Sequence, residues 1–110
     1  MVKMDIYSAI GSRIGMLTLT IYDISDDGRR TALSKLLQNY GLRRVQYSGF
    51  LGDLNPNDRE ILAKEVGGFV EDETDSVYII PLCDRDAKTC RIVSKNKVSI
   101  IDKDNVTIVS

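Results

Sequence analysis

The order of its segments constrains this chain more than any other sequence feature. Two periodicities alternate: strand-like segments with apolar residues at every second position, and helix-like segments with apolar residues at i, i+3, i+4 and i+7. The order strand–helix–strand–strand–helix–strand predicts an α+β, ferredoxin-like βαββαβ domain. In chain order the segments are a strand over 16–24, a helix that ends at Gly41, strands over 43–48 and 50–54, a helix that begins at Pro56, and a strand over 76–83.

The first strand contains a carboxylate in an unusual position. Leu17, Leu19 and Ile21 alternate along it and are predicted to share the face that packs on the core. Asp23 continues the same phase at the end of the strand. A carboxylate there needs a cation, a hydrogen-bond donor or water. Asp23 is therefore a candidate functional residue, and capping of the following helix is the alternative.

Both helices have recognisable ends. Residues 25–27 (Ser-Asp-Asp) supply N-cap chemistry for the first helix, and Gly41 ends it where a left-handed residue is favoured. Asn55 followed by Pro56 is a cap with a first-turn proline for the second helix. The predicted buried stripes are Leu33, Leu36, Leu37 and Tyr40 in the first helix and Ile61, Leu62, Val66 and Phe69 in the second.

Two further predictions concern the sheet. Gly49 is predicted to be a turn or bulge between the strands over 43–48 and 50–54. The strand over 76–83, SVYIIPLC, is apolar on both faces and is therefore predicted to be central.

The C-terminal residues 92–110 exceed what this fold needs. The strand-like pieces RIVS, KVSII and NVTIV follow a four-stranded sheet that two helices already complete. Strands left over need an edge to pair with. We therefore predict a two-fold homodimer in which these additional C-terminal strands contact the partner.

Histidine is absent from all 110 residues. Its absence excludes Ser-His-Asp and Cys-His nucleophilic sites and every histidine metal site. Cys83 and Cys90 match no zinc or redox spacing and are predicted to be free thiols. Any catalysis must use carboxylates, hydroxyls, lysine or arginine, with a hard cation bound by oxygen as the metal option. With no long apolar run and no signal-peptide pattern, we expect a cytoplasmic protein without membrane contact.

Charge is segregated along a nearly neutral chain. The net charge is −1, but residues 27–52 carry +4 and residues 53–83 carry −6. Such segregation allows one face to attract phosphate; two solvated faces of unlike sign are the alternative. The basic block is Arg29, Arg30, Lys35, Arg43 and Arg44, and the acidic block is Glu71, Asp72, Glu73 and Asp75, in a loop predicted to be a solvated turn.

Four motifs in a fixed order resemble the small CRISPR-associated endoribonucleases. The similarity covers residues 16–91, whereas residues 1–15 precede the usual start of the family and are an upstream start, an added segment or an additional strand. Ala32 stands where some members have a basic residue. The motifs are Tyr22-Asp23, Asp26-Asp27, the run from Gly41 to Ser48 followed by Phe50-x-Gly52, and the segment from Asp75 to Cys83.

The resemblance implies a homodimer that takes part in CRISPR adaptation. In the family the strand-end aspartates of two chains face each other across one metal ion, which implies that Asp23 is the catalytic residue and metal ligand. Magnesium is the implied cofactor, with manganese as an alternative, because it accepts one or two carboxylates plus waters and phosphate oxygens. The implied nucleic-acid-binding residues are Tyr22, Arg30, Arg44 and Phe50, with the arginines on phosphates and Phe50 shaping the cleft or stacking on a base.

Structural alternatives remain open at this stage: Arg30 and Arg44 as solvated surface arginines, and Phe50 as a core residue. Two activities also remain open. One is a metal-dependent endonuclease acting on RNA or DNA; the other is a non-catalytic dimer that bridges duplex DNA and clamps the CRISPR integrase during spacer capture. A toxin-like ribonuclease of the virulence-associated D type shares the scaffold, and an RNA-recognition module is disfavoured by its missing aromatic signature. We expect the integrase to bind residues 92–110 by strand addition.

Overall fold

The computed structural model describes residues 2–5, 17–95, 98–101 and 106–109. The helices are α1 (Asp27–Asn39), α2 (Pro56–Val66), which a 3-10 turn over Gly67–Phe69 continues, and α3 (Asp84–Thr89). The strands are β1 (Val2–Asp5), β2 (Leu17–Asp23), β3 (Arg43–Gln46), β4 (Gly49–Asp53), β5 (Ser76–Leu82), β6 (Arg91–Ser94), β7 (Val98–Ile101) and β8 (Val106–Val109).

Strands β2 to β5 form one antiparallel sheet in the order β3-β4-β2-β5. Helix α1 connects β2 to β3, and α2 connects β4 to β5, so each helix joins strands that are not neighbours in the sheet. Strands β3 and β4 form a hairpin between the two crossovers. This is the ferredoxin-like arrangement, and the predicted α+β fold is confirmed.

The hydrophobic core lies between this sheet and the two long helices. Tyr22 of β2 and Phe50 of β4 point into it from the sheet and meet Leu33 and Leu37 of α1 and Leu62 of α2, all of them buried. The tyrosine and phenylalanine rings stack with their centroids 6.3 Å apart. The helices therefore cover the face of β2 to which Tyr22 belongs.

The predicted core face of β2 is wrong for this reason. Thr18, Thr20 and Tyr22 point beneath the helices and are buried, whereas Ile21 on the opposite face is 42% exposed and Asp23 is exposed. Alternation of leucine and threonine does not reveal which face the helices take. Since Phe50 and the helix leucines fill the space above the sheet, β2 contributes short threonine side chains there.

The second face of the sheet is closed at one end and open at the other. Leu17 and Leu51 are buried on it. Towards the end of β2 that carries Asp23, the apolar side chains Ile21, Tyr78 and Ile80 are exposed by 42%, 59% and 37%. We call these three residues the open apolar patch.

The predicted helix ends are confirmed. The side chain of Asp26 accepts a hydrogen bond from the Arg29 amide at 2.8 Å at the start of α1. Asn55 accepts one from the Asp58 amide at 2.8 Å at the start of α2. Gly41 has a φ of 85°, the left-handed conformation that favours glycine after a helix.

The predicted stripes of the two helices face the core, with one exception. Ile61 is exposed. The buried members are Leu33, Leu37, Leu62 and Val66, and those partly buried against the core are Leu36, Tyr40 and Phe69.

Two strand predictions are wrong. Gly49 is not the turn: it is the first residue of β4, and the turn lies at Tyr47 and Ser48, next to a register shift between Arg44 and Gln46. Strand β5 is not central, because within the described chain it pairs only with β2 and lies at the edge of the sheet. Its outer face is apolar because it contributes Tyr78 and Ile80 to the open apolar patch, and Pro81 is compatible with an edge strand.

The strands predicted to be left over have partners within the chain. Strand β6 pairs with β1 over Val2–Asp5, so the extension before residue 16 contains an additional strand, and β7 pairs with β8. The argument that these strands lack a partner was therefore incorrect. The homodimer itself and the contact of residues 92–110 with a partner stay predictions. The other residues of the 1–15 segment lie outside the described residues.

Candidate nucleic-acid interface

A pocket of about 230 Å³ lies between α1 and the β3–β4 hairpin. Three of the five predicted site residues, Tyr22, Arg30 and Arg44, line it. The elements that bring them together are the end of β2, the first turn of α1 and β3. The remaining lining residues are Thr31, Ser34 and Tyr47.

Arg30 is held against the start of α1. Its Nη1 donates to the Ile24 carbonyl at 2.9 Å, and its Nη2 pairs with Asp27. Its guanidinium carbon lies 6.0 Å from the centroid of the Tyr47 ring. The hydrogen bond to Asp27 is the main reason why the pKa of Arg30 is raised above its ordinary value, which keeps the side chain cationic. With 26% of the side chain exposed, Arg30 is a fixed cation at the pocket wall.

Arg44 approaches the same pocket from the sheet. Its guanidinium carbon lies 4.8 Å from the centroid of the Phe50 ring, and its Nη1 donates to the Tyr47 carbonyl. Phe50 itself is fully buried, between Arg44 and the ring of Tyr22. This burial contradicts a stacking contact between Phe50 and a base. Phe50 is a core residue below the cleft, where it supports the guanidinium of Arg44.

Tyr47 is a pocket residue that the sequence analysis missed. Tyr47 is 68% exposed in the turn between β3 and β4. Its carbonyl receives Arg44 and lies 3.5 Å from the Tyr22 hydroxyl. The sequence contains a signal for it, because Tyr47 is an aromatic residue between the arginine pair and Gly49. The predicted strand over 43–48 included Tyr47, and this assignment gave no reason to expect an exposed side chain.

Asp23 lies apart from these residues within one chain. It follows Tyr22 directly in β2, and successive side chains of a strand point to opposite faces. Asp23 is therefore exposed on the face that carries the open apolar patch, opposite Ser76 of β5. The structure brings the predicted phosphate-binding arginines together and places the predicted metal ligand on the other side of the sheet.

The surroundings of Asp23 limit how it could hold a metal ion. Among the residues that the structure describes, no group of three or more Cys, Asp or Glu side chains is placed to hold one. Magnesium that keeps several waters needs only one or two carboxylates. A single exposed carboxylate per chain fits such an ion when a second copy brings another, which agrees with the two-chain arrangement that the family resemblance implies.

Arg29 does not belong to the phosphate-attracting face that was predicted for it. Its guanidinium contacts three carboxylates, Glu71 at 2.7 Å, Asp72 at 3.1 Å and Asp75 at 2.6 Å. It also donates to the Phe69 carbonyl at 2.8 Å. This side chain is neutralised by the acidic block and fastens that loop to the start of α1.

The acidic loop is an exposed turn over residues 71–74, as predicted, but its last carboxylate, Asp75, is not solvated. The side chain of Asp75 has no exposed surface. Besides Arg29, it accepts from the amide and hydroxyl of Ser25 at 3.0 Å, from the Glu71 amide at 3.1 Å and from the Asp72 amide at 3.0 Å. The hydrogen bond from Arg29, followed by the backbone amides, holds the pKa of Asp75 far below its usual range. Asp75 is a buried anion that joins the loop to the segment directly after Asp23.

A family model matches the part of the chain that contains this pocket. Residues 16–90 match the model described as CRISPR associated protein Cas2. The chain belongs to the CRISPR-associated Cas2 family. The family resemblance of the four motifs is thereby confirmed, and the family match spans α1, α2 and the whole four-stranded sheet.

Relatives of known sequence and structure support the same assignment. The chain is 53% identical over 94 residues to a CRISPR-associated endoribonuclease Cas2 of Archaeoglobus fulgidus, covering 86% of this chain and all of the relative. It is 32% identical to a Cas2 endoribonuclease of Korarchaeum cryptofilum, covering 72% of this chain and 85% of the relative. A Cas2 crystal structure from Streptococcus pyogenes is 26% identical with a TM-score of 0.54, covering 61% of this chain and 86% of that one.

A second Cas2 crystal structure matches a larger part of this chain. It is 25% identical with a TM-score of 0.62, and the match covers 86% of this chain and 98% of that one. No helix among the described residues has the length and apolar character needed to cross a bilayer. Cys83 and Cys90 are free thiols, as predicted.

Proposed function

We propose that this protein binds the nucleic-acid backbone in the pocket between Arg30 and Arg44 and, as a homodimer, cleaves phosphodiester bonds at Asp23 during CRISPR adaptation. The observation that carries the proposal is the convergence of both arginines on one pocket of about 230 Å³. The matched relatives that are named endoribonucleases support the nuclease part.

The arginines act by position and charge. Arg30 is fixed by Ile24 and Asp27, and Arg44 by Tyr47 and the ring of Phe50, so neither loses much side-chain freedom when it meets a phosphate. Paired guanidinium groups bind phosphate oxygens with charge-assisted hydrogen bonds. Contacts of this kind orient a strand without reading its sequence.

Asp23 supplies the chemistry in this proposal. Two Asp23 carboxylates that meet at a two-fold axis repel each other unless a proton or a divalent cation lies between them. The paired Asp23 carboxylates would hold magnesium or manganese there, and the ion would supply an activated water and offset the charge that builds on the phosphate. Hydrolysis would form a bond between the water oxygen and phosphorus, break the bond between phosphorus and the leaving oxygen, and pass a proton of the water to that oxygen. The exposed position of Asp23 leaves room for the strand.

A second candidate function is favoured by one observation. Within one chain Asp23 lies on the opposite face of the sheet from Arg30 and Arg44. A protein that only bridges duplex DNA and holds the CRISPR integrase needs the arginines but not the carboxylate. The two functions therefore differ in whether Asp23 matters.

The test compares three variants in three assays, which measure cleavage, binding as a function of salt, and integrase-dependent insertion. Asp23→Asn should abolish cleavage of labelled RNA and DNA in magnesium, whereas Arg44→Gln should weaken binding to many sequences alike. Because each neutralised phosphate releases counterions, we expect Arg44→Gln to lower the slope of log affinity against log salt by about one. Lys35→Gln, an exposed cation of α1 outside the pocket lining, is the matched control and should leave that slope within error.

The outcomes separate the two functions. Cleavage that persists in Asp23→Asn or in chelator contradicts the role of Asp23. Cleavage lost while integrase-dependent insertion survives favours the bridging role in the cell, and loss of both favours the nuclease. Affinity without salt dependence contradicts phosphate binding at the arginine pocket altogether.

A further inference from the structure

Tyr47 is exposed at a position where the backbone does not require an aromatic residue. It occupies the first position of the two-residue turn between β3 and β4. Among the described residues only Gly41 has a positive φ, so the turn places no special conformational demand on the residue type at position 47. Tyr47 is 68% exposed, whereas the neighbouring Tyr22 is only 3% exposed. The aromatic surface of Tyr47 thus contributes little to the core.

The turn that carries Tyr47 is held from below. The Tyr47 carbonyl accepts a hydrogen bond from the Arg44 guanidinium and lies 3.5 Å from the Tyr22 hydroxyl. The Ser48 carbonyl accepts the Tyr22 amide at 3.0 Å. These contacts fix the backbone on both sides of the turn, so the ring projects from a defined point of the pocket wall.

Tyr47 contacts both arginines of the pocket, one through its ring and the other through its backbone carbonyl. The Arg30 guanidinium is 6.0 Å from the centroid of that ring, within the range of a cation–π contact, and Arg44 is bonded to the Tyr47 backbone. In single-strand recognition, cations that hold the backbone alternate with aromatic rings on which bases stack. The pocket therefore presents both halves of such a site.

We propose that Tyr47 is a base-stacking residue and that the pocket binds a nucleotide whose base is unpaired, in single-stranded RNA or DNA. This inference rests on the proposed function, because it assumes that Arg30 and Arg44 hold phosphates. It replaces Phe50, which is buried, with Tyr47 as the aromatic contact to the base. A paired base within a duplex is stacked on its neighbours and cannot offer its face to this ring.

The test uses fluorescence anisotropy of a labelled oligouridine, in chelator so that the strand stays intact. Tyr47→Leu keeps an apolar side chain but removes the ring. Because stacking on one aromatic ring is worth a recognisable share of single-strand affinity, we expect its Kd to rise about 5- to 150-fold. Tyr47→Phe keeps the ring and should bind within about threefold of the native protein.

Two ligand controls isolate the base. An abasic ribose-phosphate strand of equal length should bind the native protein and Tyr47→Leu equally, because only its phosphates make contact. A blunt duplex should likewise show no dependence on Tyr47. Equal binding of the abasic strand also demonstrates that Tyr47→Leu is folded and that its arginines remain in place.

Failure of the inference can be distinguished from failure of the proposed function. If Tyr47→Leu binds oligouridine as tightly as the native protein while Arg44→Gln weakens binding, phosphate recognition stands and stacking by Tyr47 is overturned. If Tyr47→Leu weakens the abasic strand and the oligouridine alike, the ring supports the arginines and does not contact a base. If the native protein binds neither strand, the proposed function itself is overturned.

Discussion

Asp75 is the residue on which the surroundings of the candidate site most depend. Its fully buried carboxylate accepts hydrogen bonds from Arg29, Ser25 and two amides of its own loop. A buried carboxylate is tolerated only when its oxygens are satisfied in this way. Removing its charge leaves Arg29 without its most buried partner and frees the loop from the start of α1.

Stability should depend on pH through this carboxylate. Its pKa in the folded protein lies below the ordinary value of 3.8, so its contribution is present above about pH 4 and is lost as the pH falls towards the folded pKa. Asp75→Asn should therefore lower the melting temperature at pH 7, and the difference from the native protein should shrink below pH 3.8. Thermal unfolding by circular dichroism at both pH values measures this.

Asp72→Asn is the matched control for that measurement. Asp72 also contacts Arg29, at 3.1 Å, but its side chain is 59% exposed. An exposed ion pair contributes little because water screens it. A loss of stability in Asp72→Asn as large as that in Asp75→Asn would contradict the central role of the buried carboxylate.

Sequence reasoning at this scale identified residue types better than partners. Arg30 and Arg44 were selected for a basic face, and both line one pocket. Arg29 had the same sequence signal, yet it is neutralised because the chain brings the acidic loop back to it from 42 to 46 positions away. Phe50 is buried and Tyr47 is exposed because of where α1 and α2 cover the sheet. A local sequence pattern does not contain this information.

Helices α1 and α2 are joined at one point by a tyrosine–carboxylate contact. The Tyr40 hydroxyl, at the C-cap of α1, donates to Glu65 of α2. Hydrogen bonding to Glu65, with desolvation as the next cause, raises the pKa of Tyr40 to about 12. The contact belongs to the neutral phenol, so its contribution is present below pH 10 and is lost as the pH rises towards 12.

Tyr40→Phe should therefore destabilise the protein at pH 7 by about 1 kcal/mol or less, because the contact is open to solvent. At pH 11 the difference from the native protein should be smaller. Urea unfolding at the two pH values gives both free energies. Tyr78→Phe, at an exposed tyrosine of β5, is the control; a change of the same size and pH dependence there would assign the effect to tyrosine ionisation in general.

The order of the elements and the helix ends could be predicted because each depends on residues that are close in sequence. The N-cap Asp26 bonds to an amide in the first turn of its own helix, and Gly41 ends α1 through its own backbone conformation. The face of β2 that the helices cover and the edge position of β5 could not be predicted from the sequence. Strands that are apolar on both faces occur in the middle of a covered sheet and also where a second surface awaits a partner. The sequence pattern of β5 is the same in both cases.

At the scale of the whole molecule, the open apolar patch points to association. Ile21, Tyr78 and Ile80 lie on the face that also carries Asp23. Apolar side chains clustered on one exposed face are typical of an interface. A two-fold contact through this patch would bring two Asp23 carboxylates towards one axis, as the proposed metal chemistry requires.

Ile21→Asp should therefore convert the proposed dimer to a monomer. A charge placed within a buried apolar interface is strongly unfavourable, and sedimentation equilibrium measures the mass directly. Ile61→Asp is the matched control, since Ile61 of α2 is exposed to almost the same extent, 43% against 42%, but lies away from this sheet face. A native protein that sediments as a monomer would contradict the dimer.

Strand β1 pairs with β6 through the register Val2↔Ser94 to Asp5↔Arg91, and this pairing closes a chain segment that contains the entire four-stranded sheet. Closing a long segment costs more conformational entropy than closing a hairpin such as β3–β4. The β1–β6 pairing should therefore form last when the chain folds. This pairing should also open first. Hydrogen exchange should therefore show the amide hydrogens of β6 exchanging by local opening. The amide hydrogens of β2, which pairs with a strand on each side, should exchange only when the whole domain unfolds.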